Sequence, residues 1–183
     1  SYKLHLKRIE EQCFNLNILK PDLDIAALIK KNRAEQGTWK LKILVTSTTP
    51  FQAAARPPLT LLMLNPYKAT KQPIKLKLSS IPSYSAYASL KTLAYLPNLM
   101  QKQEAIREGF DDSLLKSPEN FILETSSANI FWIDNKTLHT PCPTLPLLFG
   151  TTIQQIVQPS TLYQKISVEK IPTTARVYIC NSL

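Results

Sequence analysis

Three short features of the sequence combine residue types that could carry out chemistry on an amine. Lys91, within YASLKTLAYL, lies among apolar and small residues, which would partly desolvate its amine, lower its pKa and suit it to act as a nucleophile or base. Glu124 opens ETSSANIFW, where small residues separate a carboxylate from an apolar strand, and it could pair with a protonated ring nitrogen of a cofactor. Gly150, Thr151 and Thr152 begin a helical pattern, where backbone N–H groups and two hydroxyls could bind a phosphate.

Each of these features also has an ordinary structural explanation. Lys91 could be a surface lysine whose alkyl chain covers apolar neighbours. ETSSANIFW could be an edge strand entered through a solvated turn, and Thr151 could be a helix cap. Each signal is weak alone, and it is their combination in one chain that favours a catalytic site.

The elements that must position these residues can be read from periodicity and turn signals. Residues 2–15 and 24–36 have amphipathic helical patterns, and WKLKILVTS, LTLLMLN and IKLKLSS are typical of strands. A third helical pattern covers residues 86–108, with Pro97 at its start or at a kink and Gly109 at its end. The short strands DSLL, NFILE, ANIFWI and TLHTP follow, with a hairpin at Asp134-Asn135-Lys136, then a helix and a last strand, ARVYICN.

This mixture predicts an α+β protein in two lobes. Residues 1–68 form a small N-terminal α/β lobe and residues 69–183 a β-rich lobe, with the polar, proline-bounded NPYKATKQP as the linker. The start lacks an initiator Met and the end stops within a strand pattern, which indicates that either terminus is incomplete.

Composition narrows the class of protein. Among the 183 residues, 44% are hydrophobic and 19% charged, as in an ordinary globular domain without a membrane span. An odd set of cysteines (Cys13, Cys142 and Cys180) favours a reducing cytoplasm. The net charge is +9, but the cations are scattered and no nucleic-acid motif is present, so attraction of an anionic small substrate is the favoured explanation.

Several chemistries are disfavoured by missing motifs. The sequence has no P-loop and no dinucleotide glycine fingerprint. His5 and His139 are the only histidines and lie in different segments, which argues against a catalytic triad and against a metal site. Lysine, carboxylate and helix N-terminus are the chemical parts that remain.

The order of the motifs resembles that of the fold-type IV pyridoxal-phosphate enzymes. KTLAYL, GFDDSLL, ETSSANIF, TP and GTTIQ follow one another at spacings similar to the family's. The family includes branched-chain and D-amino-acid aminotransferases and aminodeoxychorismate lyase, and the ending VYICNSL is most similar to the lyase branch. The resemblance covers residues 91–183, and less clearly those from His5 onward.

The resemblance implies roles for the matching residues. Lys91 matches the lysine that binds pyridoxal 5'-phosphate covalently and moves protons, and Glu124 matches the glutamate that pairs with the pyridine nitrogen. Thr125 to Ala128 would stay small because the cofactor ring lies against them. Residues that would contact the phosphate, or the substrate beside it, are Arg8 in HLKRI, Gly150, Thr151, Thr152, Asn181 and Ser182.

The sequence departs from the family pattern at several places. The family's first strands are absent, Ala94 replaces an asparagine, and Gln154 replaces the usual arginine after GTT. The strand at residues 39–47 lacks the Arg-Gly that commonly follows it, which leaves Arg56 as the candidate for binding a substrate carboxylate.

The resemblance implies a cytoplasmic homodimer with the two-lobed fold-type IV architecture, acting on a small anionic amine. The favoured reaction is that of aminodeoxychorismate lyase, which releases pyruvate and yields p-aminobenzoate for folate synthesis. Two alternatives stay open: an aminotransferase of branched-chain or D-amino acids, and a degenerate member that keeps the fold as a non-catalytic scaffold.

Overall fold

A computed structural model describes residues 2–31, 36–47, 57–68 and 73–182 of the chain. The chain divides into two compact units, Ser1–Lys71 and Gln72–Ser182. Among the described residues, no helix has the length and apolar character needed to span a membrane.

The N-terminal unit contains two helices and a two-stranded sheet. Helix α1 spans Tyr2–Asn15 and helix α2 spans Ile25–Lys31, where Asp24 Oδ1 accepts a hydrogen bond from the Ala27 N–H at 2.8 Å. This contact satisfies an N–H group that has no partner within the first turn of the helix. Strands β1 (Trp39–Thr46) and β2 (Leu59–Pro66) pair antiparallel along their whole length.

The C-terminal unit is built on one mixed sheet. Its strands, among the described residues, are β3 (Leu76–Leu78), β4 (Asp112–Lys116), β5 (Ile122–Thr125), β6 (Asn129–Asp134), β7 (Thr137–Pro141), β8 (Leu162–Gln164) and β9 (Arg176–Cys180). They lie in the order β3-β4-β5-β6-β7-β8, with β9 paired to β6. The β3–β4 and β7–β8 pairs are parallel and the other pairs are antiparallel.

Both faces of the central strands are covered. Leu114 on β4 and Ile122 on β5 belong to one buried cluster with Ile130 and Trp132. The next residue along each strand, Leu115 and Leu123, belongs to a second cluster with Leu145 and Leu147. Because successive side chains of a strand point to opposite faces, burial on both faces explains the near-continuous apolar runs of these strands.

Helix α3 (Leu96–Arg107) ends directly before the sheet's second strand. Pro97 lies in the first turn, so it begins the helix and does not kink it. Gly109 has φ +83, the left-handed conformation that commonly ends a helix and that glycine adopts without strain. Of the two positions predicted for Pro97, the start of the helix is therefore the one observed, and residues 86–95 of the predicted helical pattern form turns and loop.

Two further helical segments lie late in the chain. Helix α4 spans Thr151–Ile156 with Gly150 at its N-cap, as the sequence predicts. A single 3₁₀ turn at Val168–Lys170 and strand β8 were not predicted, because three-residue elements give no periodic signal.

Candidate active site

Lys91 lies in the loop that leads into α3. Its Nζ is 5.9 Å from the centre of the Tyr95 ring, four residues further along. Lys91 is exposed, so the partial desolvation predicted from its apolar neighbours was wrong for this chain. What supports a chemical role is therefore its position, beside Tyr95 and close enough to Glu124 for its charge to act on that carboxylate.

Glu124 lies near the end of β5, with its carboxylate held on both oxygens. Oε1 accepts a hydrogen bond from the Leu148 N–H at 3.0 Å, and Oε2 accepts one from Asn129 Nδ2 at 3.3 Å. Burial raises the pKa of Glu124 to about 7, although the Leu148 hydrogen bond and the positive charge of Lys91 act in the opposite direction. A partly buried carboxyl with this pKa can hold either a proton or a negative charge near neutral pH.

Asn129, opposite Glu124 on β6, connects that carboxylate to the start of α4. Its Nδ2 donates to the Leu148 carbonyl at 2.7 Å, and its Oδ1 accepts from the Gly150 N–H at 2.9 Å. Gly150 is thus joined to Glu124 through one side chain. The sequence places Asn129 inside ETSSANIF, but its role was missed because its other partners are backbone atoms about twenty residues away.

The turn after Glu124 has a structural reason for its small residues. Thr125, Ser126 and Ala128 are buried by the protein itself, and Thr125 Oγ1 accepts hydrogen bonds from the Ser127 and Ala128 N–H groups at 3.3 and 3.0 Å. Of the four small residues, Ser127 alone is exposed. The hypothesis that a cofactor ring explains the small size of all four residues was therefore too broad.

Asp112 holds this turn from the neighbouring strand. Its carboxylate, 4% exposed, accepts hydrogen bonds from Ser126 Oγ at 2.5 Å and Ser127 Oγ at 3.3 Å, and Lys102 Nζ lies 3.7 Å away. The Tyr95 phenol donates to the Ser126 carbonyl. Burial, followed by the charges of Asp112 and Glu124, raises the pKa of Tyr95, so its proton stays on the oxygen.

Of the residues expected to contact a phosphate, those of the C-terminal unit lie together at the start of α4. Thr151 Oγ1 is 3.3 Å from Ser182 Oγ, and Thr152 Oγ1 donates to the Asn181 carbonyl at 2.8 Å. Asn181 Nδ2 reaches the Ser127 carbonyl at 3.4 Å. The C-terminal unit thus brings the Gly150–Thr152 turn, the Asn181–Ser182 segment and the turn after Glu124 into contact.

Arg8 lies on α1 of the N-terminal unit. Burial lowers the pKa of its guanidinium, with Glu11 acting in the opposite direction, and Nη2 is buried with no hydrogen-bond partner among the described residues. A buried, unpaired cationic nitrogen is costly unless an anion satisfies it, so this atom fits a phosphate or carboxylate ligand. Arg56, the predicted carboxylate ligand, lies outside the described residues.

These groups fit pyridoxal phosphate better than they fit a metal. The donor set contains an amine, a buried carboxylate and hydroxyls beside a helix start, which suit an aldehyde, a ring nitrogen and a phosphate. Within the described ranges, no group of three His, Cys, Asp or Glu side chains could hold a metal ion.

The fold and these residues place the chain among known proteins. A family model, amino-transferase class IV, matches residues 1–183. The chain therefore belongs to the class IV aminotransferase family, whose enzymes use pyridoxal phosphate. The family, the α+β fold and the class of cofactor that the sequence resemblance implied are confirmed at this level.

Individual relatives show how far the similarity extends. A branched-chain-amino-acid aminotransferase of Pseudomonas aeruginosa is 31% identical over 118 residues, which are 62% of this chain and 38% of that protein. A solved 4-amino-4-deoxychorismate lyase candidate from Legionella pneumophila superposes with a TM-score of 0.84 at 23% identity, covering 99% of this chain and 73% of that one. For a branched-chain aminotransferase of Thermobaculum terrenum in its PLP form, the TM-score is 0.77 at 17% identity, with 97% and 65% covered. The chain thus spans well under half the length of the Pseudomonas relative, and the solved structures establish the fold alone.

Proposed function

We propose that this chain binds pyridoxal 5'-phosphate and acts as a lyase resembling aminodeoxychorismate lyase, releasing pyruvate from aminodeoxychorismate, a small anionic amine, to leave p-aminobenzoate. The observation that carries the proposal is that one compact unit holds the partly buried Glu124, the Gly150 turn linked to it through Asn129, and Lys91, whose charge acts on the Glu124 carboxylate. A non-catalytic scaffold would require none of these three groups. The favoured lyase reaction also rests on the similarity of the ending VYICNSL to the lyase branch.

Each residue would contribute a distinct property. When bound, the cofactor's ring supplies an electron sink for charge that develops at the substrate carbon. Lys91 Nζ would hold the cofactor and then accept and return the substrate proton, since an amine can act as both nucleophile and base. Glu124 would keep a positive charge on the ring nitrogen, because its own pKa of about 7 lets it carry a negative charge there.

The anionic end of the cofactor requires a different set of groups. We assign it to the Thr151 and Thr152 hydroxyls and the Gly150–Thr152 backbone, with Asn181 and Ser182 beside them. Arg8 is the proposed cationic ligand, because its buried Nη2 has no partner among the described residues. Arg56 is proposed as the substrate-carboxylate ligand from its sequence position alone. By family resemblance we also propose a cytoplasmic homodimer.

An aminotransferase is the second candidate, and the Pseudomonas relative favours it. The two reactions share the cofactor residues but differ in what they consume. A lyase releases pyruvate without an acceptor, whereas transamination needs a keto acid to regain the starting form of the cofactor. Pyruvate release measured without any keto acid therefore separates them.

The first test is absorption spectroscopy of the purified chain with added pyridoxal phosphate, followed by borohydride reduction and peptide mapping. We expect a yellow band and a reduced adduct on Lys91, with both lost in Lys91→Ala and kept in Lys75→Ala, an exposed lysine of the same unit. An adduct that survives in Lys91→Ala would move the reactive amine elsewhere. A wild-type chain with neither band nor adduct would leave the scaffold as the better explanation.

A further inference from the structure

The Asn129 side chain contacts two segments of the C-terminal unit, strand β5 and the stretch from Leu148 to Gly150 that leads into α4. It is 7% exposed and forms hydrogen bonds to Glu124 on β5, to the Leu148 carbonyl in the loop after β7, and to the Gly150 N–H at the start of α4. Both Oδ1 and Nδ2 of Asn129 thus form hydrogen bonds within the proposed cofactor site. A buried amide with this set of partners does more than fill space.

The chemistry of these partners fixes the direction of the amide. The Leu148 carbonyl can only accept and the Gly150 N–H can only donate, so exchanging Oδ1 and Nδ2 would leave both contacts repulsive. The N–H groups of Asn129 are consequently held toward Glu124, and the carboxylate receives a donor on each oxygen, one from Asn129 and one from the Leu148 N–H.

Gly150 is matched to Asn129 by shape as well. Its φ of −66 and ψ of 155 are extended values that any residue adopts, so the backbone itself does not require glycine. A Cβ at this position would collide with Asn129 Oδ1, and among the described residues only Asn129, apart from the chain neighbours, lies within 4 Å of it. The absence of a side chain at position 150 is therefore explained by Asn129.

We propose that Asn129 is a positioning residue that locks the Glu124 carboxylate and the Gly150 turn into one rigid unit, so that the two are presented to the cofactor in a fixed relation. This inference rests on the proposed function for its meaning, because Glu124 and the turn are the groups assigned to opposite ends of the same cofactor. Asn129 itself needs no contact with the cofactor.

A double-mutant cycle tests the coupling without any cofactor. Gly150→Ala should lower the melting temperature of the unliganded protein on the order of 5 °C, because the added Cβ meets Asn129. In the Asn129→Ala background the same change should cost less than about 2 °C, since the colliding atoms are gone. Equal effects in the two backgrounds would refute the packing argument.

Cofactor titration then tests the positioning role. Asn129→Ala should weaken pyridoxal-phosphate binding at least about tenfold, the size of effect seen at metal sites when a residue that hydrogen-bonds a ligand is removed. It should also shift the absorption band of the bound cofactor. Thr140→Val is the matched control, because it removes a buried hydrogen bond to the Ile130 carbonyl at the neighbouring pair of strands. It should lower stability and leave affinity and spectrum unchanged.

Asn129→Asp keeps an acceptor for the Gly150 N–H but places a second carboxylate against Glu124. Because two ionised carboxylates repel each other, this variant should lose more cofactor affinity relative to wild type at pH 8 than at pH 6. This variant keeps the test open if Asn129→Ala does not fold. Wild-type affinity and spectrum retained in both variants would overturn the positioning role. Failure of wild type to bind pyridoxal phosphate would instead overturn the proposed function, while the melting-temperature cycle would still report on the coupling.

Discussion

At the scale of single residues, Glu124 is the group whose environment is most unusual. Its carboxylate is largely withdrawn from solvent, and among the described residues it accepts hydrogen bonds from the Leu148 N–H and Asn129 Nδ2 and lies near the positive charge of Lys91. Burial outweighs these favourable contacts and raises the pKa to about 7. The folded protein therefore holds this carboxyl at a cost when it is ionised, which a positively charged ring nitrogen would remove.

The raised pKa of Glu124 makes stability depend on pH in a defined direction. The folded chain binds this proton more tightly than the unfolded chain, whose glutamate has the ordinary pKa of 4.5. Below pH 4.5 the ionisation of Glu124 does not change the free energy of unfolding. Between pH 4.5 and 7 the free energy of unfolding falls as pH rises, and above pH 7 it stays lower by a constant amount. Glu124→Gln should thus gain stability relative to wild type across this window, by at most about 1.4 kcal/mol per pH unit.

Urea unfolding of the unliganded protein at several pH values would measure this difference. Glu119→Gln is a suitable control, because hydrogen bonds to Ser117 and to the backbone lower the pKa of Glu119. Its stability difference from wild type should therefore change below pH 4.5, in the opposite direction, and stay nearly constant between pH 4.5 and 7. A stability difference for Glu124→Gln that does not vary with pH would contradict the burial argument. With cofactor bound, Glu124→Gln should have a far lower rate of substrate turnover than wild type.

Residue types at the site could be predicted from the sequence, but their environments could not. Lys91 and Glu124 were proposed because each lies in a motif whose residue types suit the chemistry. The bridging by Asn129 depends on backbone atoms at Leu148 and Gly150, which become neighbours of Asn129 only when the chain folds. The exposure of Lys91 likewise belongs to the folded structure and could not be read from its apolar sequence neighbours.

At the scale of elements, the turn between β5 and β6 depends on a carboxylate from β4. Asp112 accepts hydrogen bonds from the Ser126 and Ser127 hydroxyls and from the Ser113 N–H at 2.8 Å. Two carbonyls of this turn also accept hydrogen bonds: that of Ser126 from the Tyr95 hydroxyl, and that of Ser127 from Asn181 Nδ2. One buried side chain thereby supports the turn that contacts both Tyr95 and Asn181.

Replacing Asp112 should therefore destabilise the fold strongly. Asp112→Ala leaves two hydroxyls and an N–H without their acceptor, and we expect a loss of about 3 kcal/mol in the free energy of unfolding. The neighbouring Asp111 accepts an exposed hydrogen bond from the Lys75 N–H through Oδ2. Asp111→Ala should therefore lower the free energy of unfolding by about 1 kcal/mol. Chemical denaturation compares the two; equal losses would show that the turn does not depend on Asp112.

Elements with strong local signals were predicted well, and their arrangement was not. The hairpin at Asp134-Asn135-Lys136 is present, with φ of 46 at Asn135 and 66 at Lys136, as a tight turn between antiparallel strands requires. The parallel pairing of β7 with β8 and the contact of β9 with β6 join residues distant in sequence. Periodicity reports which face of a strand is buried and carries no information about its partner.

At the scale of the whole molecule, the net charge of +9 is the property most relevant to a phosphorylated cofactor. Exposed charges act on a small anion over distances set by salt, about 10 Å at 0.1 M ionic strength. The positive field should therefore raise the rate at which an anion reaches the protein, whichever residues finally hold it.

Stopped-flow binding of pyridoxal phosphate to the unliganded chain would test this effect. We expect the association rate constant to fall about threefold or more between roughly 20 and 200 mM sodium chloride, because screening weakens the long-range attraction. Pyridoxal, which has the same ring and aldehyde without the phosphate, is the matched ligand and should show little dependence on salt. Reversing Lys30 and Lys31, exposed on α2, to glutamate should reduce the slope for the phosphate ester.

The salt dependence of the association rate constant, compared between ligands and variants, distinguishes the field of the whole protein from the charge of one contacting residue. If the slope persists in the Lys30 and Lys31 variant, the attraction comes from other cations, and Arg8, the proposed phosphate ligand, is the first to examine because its buried Nη2 has no partner among the described residues. Arg8→Met would then abolish the slope and weaken binding of the phosphate ester without affecting pyridoxal. Equal slopes for the two ligands would exclude the phosphate as the group that the positive charge attracts.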